Sequence, residues 1–455
     1  MPGKHGHHTK ARRSPAKWLR AAKSYYLVLA ALLAVIAGCF TYAFTPSSVM
    51  APVAASLHFN AGAFSAPALA NLLGEGNSYS SYPQAQAPAP IVTATAPPLT
   101  GRKSKTTHSP RPTKSAPAPS GGTVFTNAAG LGFYDGNSSP SGLETAASWL
   151  GGSGSVKYAE DFVDATDWSH IEDPWQLSNW QGSPYTMIWG VPMIPCGSPS
   201  TQCSTNVSDY DLVASGGADS YFKTLAQNLI SAGFGSSYIR LGWEFNASWM
   251  GWGICNSDGS GLASWASDFV PAYQNIVTSM RSVSGANFKF IWNPIDSSNS
   301  SCSGASLEQF YPGNSYVDMV ALDVYDGLGT SCSDSSRWTD FLDGVNTGGW
   351  TAEKPAAIGG QSFSGYGLNW LTVFGKANNK EVGLPEWGLD GTSDNGGGGD
   401  DPYFVTQMAA WIKANDSGPA IYWNYGGGTL QLDIPNESSG GTPEASAAFQ
   451  SAFSV

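Results

Sequence analysis

Beyond residue 122, apolar residues come in short runs rather than in the every-other-residue alternation of a half-exposed sheet. The runs are Leu131–Asp135, Val156–Phe162, Tyr185–Val191, Tyr238–Glu244, Phe288–Asn293, Val317–Asp323, Val382–Glu386 and Ala420–Asn424, each rich in β-branched or aromatic residues. Segments with apolar residues at helical spacing lie between several of them, including Asp219–Ala232, Ala263–Val283, Trp370–Asn378 and Pro402–Asn415. Continuous apolar strands linked by helices predict a parallel sheet covered on both faces. Eight such repeats over 123–455 predict an α/β fold of the (β/α)8 barrel type with long loops. The alternative is an open doubly wound sheet; no Gly-x-Gly-x-x-Gly follows the first run, so a dinucleotide fold has little support.

The N-terminal part has a different pattern. Residues 1–24 hold seven Lys and Arg, and Tyr25 to Phe44 is an uncharged apolar run of 20 residues, about the length that spans a bilayer. A basic flank of this kind stays in the cytoplasm, so the sequence predicts a membrane segment at 25–45 with everything after it outside. An uncleaved anchor is the first reading and a cleaved signal the second. Ile36-Ala37-Gly38-Cys39 also fits a lipoprotein cleavage site, which comes third. From 46 to 122 Ala, Pro, Ser and Thr dominate; such a stretch buries too little apolar surface to offset its backbone entropy and reads as a disordered linker. The folded domain is expected at 123–455.

Charge divides at the same boundary. Residues 1–122 carry 12 Lys and Arg against the single Glu75, leaving 10 basic and 33 acidic residues beyond. The large domain lacks the basic footprint that a phosphate backbone needs, so nucleic acid is not expected as a partner. A neutral ligand fits better, and a monomer is expected. Cys196, Cys203, Cys255, Cys302 and Cys332 are scattered without metal-ligand spacing, so no metal and no cofactor are expected, and disulfides suit an exported chain. Cys196 with Cys203 would close a short loop and Cys255 with Cys302 would join neighbouring loops, leaving Cys332; Cys302 with Cys332 is the alternative.

Barrel chemistry belongs at the C-terminal ends of the strands, and two of the eight runs end in Glu: Glu244 on the fourth and Glu386 on the seventh. Two carboxyl groups facing one another suit cleavage of a glycosidic bond, where one protonates the departing oxygen and the other attacks or stabilises the sugar cation. Aromatic residues support the same chemistry, because a sugar ring stacks its apolar face on indole. Trp189, Trp243, Trp249, Trp292 and Trp423 stand at or near strand ends and are candidate substrate contacts, together with Arg240, Asn246, Asp323 and Tyr325.

The segment Arg240-Leu241-Gly242-Trp243-Glu244-Phe245-Asn246-Ala247-Ser248-Trp249-Met250-Gly251-Trp252 resembles the acid/base region of glycoside hydrolase family 26, a β-mannanase-like family within the clan of retaining (β/α)8 glycosidases. The resemblance runs over most of 123–455. It implies that Glu244 is the acid/base and Glu386 the nucleophile. It also implies that Tyr325, after Val317-Asp318-Met319-Val320-Ala321-Leu322-Asp323-Val324, supports that nucleophile, and that Trp249 and Trp423 line sugar subsites. The activity it implies is hydrolysis, outside the cell, of a β-linked polysaccharide: β-mannan, β-1,3-xylan, mixed-linkage β-glucan or an exopolysaccharide. One departure stands out. Mannan-cutting members carry His before the acid, and this chain has Trp243, which offers a single N–H donor. The competing readings are a non-catalytic carbohydrate-binding protein tethered to the envelope, and an envelope scaffold.

The topology reading is testable directly. Protease added to intact protoplasts is expected to remove the 123–455 domain, as judged by immunoblot; a protected full-length chain contradicts the orientation.

Overall fold

The computed structural model describes residues 130–454, except for 153, 197–206, 299–301, 303–305, 329–334, 347–350, 352, 392–396, 416–417, 427–429, 436 and 438–439. The expected membrane segment and linker, with Cys39, Cys203 and Cys332, lie outside the described residues. Among the described residues no helix is long and apolar enough to cross a membrane.

The strands are β1 (Leu131–Tyr134), β2 (Tyr158–Phe162), β3 (Thr186–Val191), β4 (Tyr238–Leu241), β5 (Lys289–Trp292), β6 (Met319–Ala321), β7 (Val324–Tyr325), β8 (Glu381–Gly388) and β9 (Ala420–Trp423). All the pairings between them are parallel, in the order β6-β5-β4-β3-β2-β1-β9-β8, and β6 pairs with β8 to close the ring. This is the expected eight-stave barrel, with one difference. The sixth stave is broken at Leu322–Asp323 into β6 and β7, both of which pair with β8. The open-sheet alternative is excluded by the β6–β8 pairing.

Pleating sorts the residues of each strand. Tyr134, Ile188, Tyr238, Ile291, Met319, Ala321 and Ile421 form one buried cluster that fills the barrel, drawn from β1, β3, β4, β5, β6 and β9. Their strand neighbours, such as Trp189, Ile239, Phe290, Trp292 and Val320, belong to a second cluster between the barrel and the helices. Helices α1 (Pro140–Trp149), α2 (Trp168–Glu172), α3 (Leu177–Trp180), α4 (Val207–Ala214), α5 (Asp219–Ser231), α6 (Phe269–Arg281), α7 (Ser335–Asp343), α8 (Leu368–Asn378), α9 (Pro402–Ala414) and α10 (Pro443–Phe453) supply the outer layer. In α5 the buried residues Phe222, Leu225, Ala226 and Leu229 recur at three- and four-residue spacing, the stripe a helix presents to a sheet. In α9 the Asp401 side chain accepts from the Phe404 amide at 2.9 Å, and Pro402 occupies the first turn where its missing N–H costs nothing.

Cys255 and Cys302 form a disulfide, so the alternative pairing of Cys302 with Cys332 is overturned. Cys196 is also disulfide-bonded, with its partner outside the described residues. The Cys255–Cys302 bond joins the excursions after β4 and β5 across 47 residues of chain. A loop of that size loses enough unfolded-state entropy on cross-linking to be worth about 4 kcal/mol. The Cys255→Ala/Cys302→Ala double variant is expected to lose about 2–4 kcal/mol in urea denaturation, and an unchanged midpoint contradicts this.

Candidate active site

Strand β4 ends at Leu241, three residues before the run predicted from sequence, because the chain turns into left-handed backbone. Gly242 has φ +56° and Glu244 φ +49°. A β-carbon at Gly242 would lie 2.4 Å from the Met193 sulfur, so glycine is needed there for space as well as for conformation. Glu244 is not glycine and carries the strain of this region, roughly 1–3 kcal/mol. Its amide is held by the Asn293 carbonyl at 2.8 Å.

Glu386 reaches the same place from within β8, whose ladder with β9 shifts register between Leu384 and Trp387. One oxygen each from Glu244, Asp323 and Glu386 lie within 4.8 Å of one another, and all three residues are buried. The spacing would suit a cation, and the Arg240 guanidinium supplies one. From β4 its Nη1 donates to Glu386 Oε1 at 2.5 Å and to Glu160 Oε1 at 2.9 Å, its Nη2 to Asp323, and its Nε to Asn293 Oδ1. Arg240, Glu160 and Asp323 have no exposed side-chain surface. Tyr325 donates its hydroxyl to Glu386 Oε2 at 2.7 Å, and Asn293 donates to Asp323 Oδ1 at 3.2 Å.

Four carboxyl groups around one guanidinium cannot all be ionised in a dry site. Burial pushes Glu244 up to about 8, with the charge of Glu386 adding to it. Burial likewise holds Glu160 at about 8 and Asp323 well above the ordinary carboxyl range. The arrangement therefore contains a carboxylic acid able to give a proton, beside a carboxyl group whose two oxygens are held by Arg240 and Tyr325.

The aromatic candidates separate into two groups. Trp249 is half-buried, with its indole N–H 3.4 Å from Glu244 Oε2. Trp423 is half-buried and stacks on Tyr134 at 4.1 Å. Trp243 is 3% exposed, between Phe162 at 4.9 Å and Trp252 at 4.3 Å. Trp189 and Trp292 do not join them. Both are fully buried and belong to the cluster under the helices: Trp189 meets Phe234, and Trp292 donates to the Phe310 carbonyl and packs on Tyr311 and Phe374. Asn246 is also misassigned as a substrate contact. It is fully buried, and its amide exchanges hydrogen bonds with the backbone of Ile295 at 2.9 Å, tying the segments after β4 and β5. Sequence reading passed over Glu160 and Asn293, and over Tyr134, Phe162 and Tyr425, which adjoin Trp423 or one another. The signal available for Glu160 was an acidic side chain in the middle of a predicted strand, Tyr158-Ala159-Glu160-Asp161-Phe162.

Residues 220–355 match the model of glycosyl hydrolase family 26, a span that includes Arg240, Glu244, Asp323 and Tyr325 and stops short of Glu386. Endoglucanase H of Acetivibrio thermocellus is 30% identical over 129 residues, which are 28% of this chain and 14% of that protein's length. Among solved structures, a mannanase of Bacillus subtilis aligns over 69% of this chain and 83% of its own, at 16% identity and a TM-score of 0.42. A family 5 glycoside hydrolase of Prevotella bryantii aligns over 71% of this chain and 95% of its own, at 14% identity and a TM-score of 0.44.

The placement of Trp292 has a measurable consequence. Trp292→Ala is expected to lose about 3–5 kcal/mol in urea denaturation, the cost of emptying an aromatic site in a core. A variant as stable as the parent would mean the indole is not core.

Proposed function

We propose, for a chain whose residues 220–355 match glycosyl hydrolase family 26, that the protein is a retaining endo-β-glycosidase cutting a β-linked polysaccharide by double displacement. The observation that carries this reading is the pair Glu244 and Glu386, with oxygens within 4.8 Å of one another, one pushed up to about 8 and the other held by a guanidinium and a phenol. Inverting enzymes hold their carboxyl groups about 6.5–9.5 Å apart to admit a water, and retaining ones about 5–5.5 Å. Glu386 attacks the anomeric carbon while Glu244 gives its proton to the departing glycosidic oxygen, leaving a glycosyl–Glu386 ester. Glu244, now ionised, takes a proton from water as that water attacks the same carbon, and Glu386 leaves as carboxylate. Two inversions give net retention.

Trp249 and Trp423, half-buried at the strand ends, offer ring faces for sugar stacking. Trp243 is nearly buried beside the acid, so it acts by excluding water, and it provides none of the imidazole contacts of mannan-cutting relatives. That favours gluco- or xylo-configured chains, with mannan secondary. The export signals read in the sequence put the domain outside the membrane, where such polymers are. A tethered, non-catalytic sugar-binding protein gains nothing from burying four carboxyl groups at this cost.

Variants on an aryl β-glycoside test the assignment. Glu386→Ala is expected to be inactive; Glu244→Ala is expected to regain turnover with azide, because a good leaving group needs no acid. The acid must hold its proton, so wild-type kcat/KM is expected to persist through neutral pH and fall as pH rises through about 8. Parental activity in either variant removes the assignment.

A further inference from the structure

Glu160 has no place in the two-carboxyl chemistry, yet like Asp323 it is fully enclosed, more so than Glu244 or Glu386. It lies in the middle of β2, between Tyr158 and Phe162, which border the cluster filling the barrel. Its Oε1 takes one hydrogen of Arg240 Nη1 at 2.9 Å, and the same nitrogen gives its other hydrogen to Glu386 Oε1 at 2.5 Å. Its Oε2 is buried with no hydrogen-bond partner among the described residues. We propose that Glu160 works as a neutral carboxylic acid that fixes the Arg240 guanidinium beside Glu386 without drawing off its charge, and is thereby a positioning residue. This rests on the glycosidase reading above.

The argument is one of charge and solvation. A carboxylate with one buried oxygen unpaired leaves much of its charge uncompensated, whereas an unpaired neutral hydroxyl costs only about 1–3 kcal/mol. The groups facing Glu160 are Arg240 from β4, Glu386 from β8 and Asp323 after β6. Asp161 on its own strand is turned to Ser138 and Trp180. Among the described residues Arg240 is the one cation paired with Glu160, Asp323 or Glu386. Burial first, and the charge of Glu386 after it, push Glu160 up to about 8. Above that, ionised Glu160 competes for Nη1 and sets a second anion against Glu386. The guanidinium is then shared between two carboxylates, and Glu386 is less firmly held for attack. A raised acid is neutral in the fold below its own value, so the active arrangement lies on the acid side and is lost as pH rises.

Two activity measurements and one spectrum test this. Glu160→Gln keeps the acceptor and is fixed as neutral, so its kcat at pH 6 is expected within about threefold of wild type. Its alkaline limb of kcat/KM is expected to fall with one proton where the wild type, losing protons from both Glu160 and Glu244, falls with two. Glu160→Met keeps the bulk but offers no acceptor, and is expected to lower kcat about tenfold or more with KM within about twofold, because Glu160 touches no substrate. Without substrate, the infrared difference between wild type and Glu160→Gln at pH 7 is expected to show a protonated-carboxyl band that disappears as pH rises past about 8. Absence of that band overturns the proposal. So does a Gln variant as impaired as the Met variant, or one whose alkaline limb is unchanged. A wild type that cleaves no β-glycan overturns the glycosidase reading instead, and the infrared result still decides the state of Glu160.

Discussion

Arg240 is a single cation placed where no water reaches, and the rest of the site is arranged around the cost of that placement. An unpaired guanidinium in the barrel would be prohibitive, and four of its five N–H groups are used: Nε on Asn293, Nη1 on Glu160 and Glu386, Nη2 on Asp323. The reverse constraint is as strict. One positive charge balances one carboxylate, and the acids around it are therefore obliged to keep protons. The two Glu residues differ in their surroundings: Glu386 touches the guanidinium, and Glu244, at the β4 turn, is pushed up by burial first and by the charge of Glu386 after it. Two identical side chains thus meet different surroundings from position alone.

The scaffold holds this geometry by aromatic packing on the far side of the strands. Trp292 sits among Phe245, Tyr311, Trp370 and Phe374, and Trp387, next to Glu386, packs on Tyr422 and Phe449. At these two strands a residue of the site, Asn293 or Glu386, thus has a neighbour packed into the outer aromatic layer. A small tilt of a strand would have to move an indole through a filled layer, which is how side chains are kept near a working geometry without a ligand present.

Much of this was legible in the residue pattern. All eight staves, the carboxyl groups on the fourth and seventh, and the hydrogen bond of Tyr325 to the seventh follow from runs of apolar residues ended by polar ones, and from one motif. What sequence could not resolve was the direction of side chains. A strand buried on both faces has no polar alternation, so Trp189 and Trp292 look the same as Trp423 in a string of letters, although they point to opposite sides of the wall. Asn246 misled because a buried amide that ties two loops and an amide that meets a sugar need the same donor and acceptor. The break of the sixth stave at Asp323 was hidden for a related reason: Val317–Asp323 reads as continuous, and its interruption comes from Asp323 turning in to meet Arg240.

The left-handed backbone of Glu244 has an implication for how this chain persists. A residue with a β-carbon is held there at a penalty that glycine would avoid and asparagine would reduce. Selection for stability alone therefore favours those two residues at this position. Holding a glutamate in that conformation is a cost in stability that the fold itself does not require, and the most robust form of this barrel is one without it.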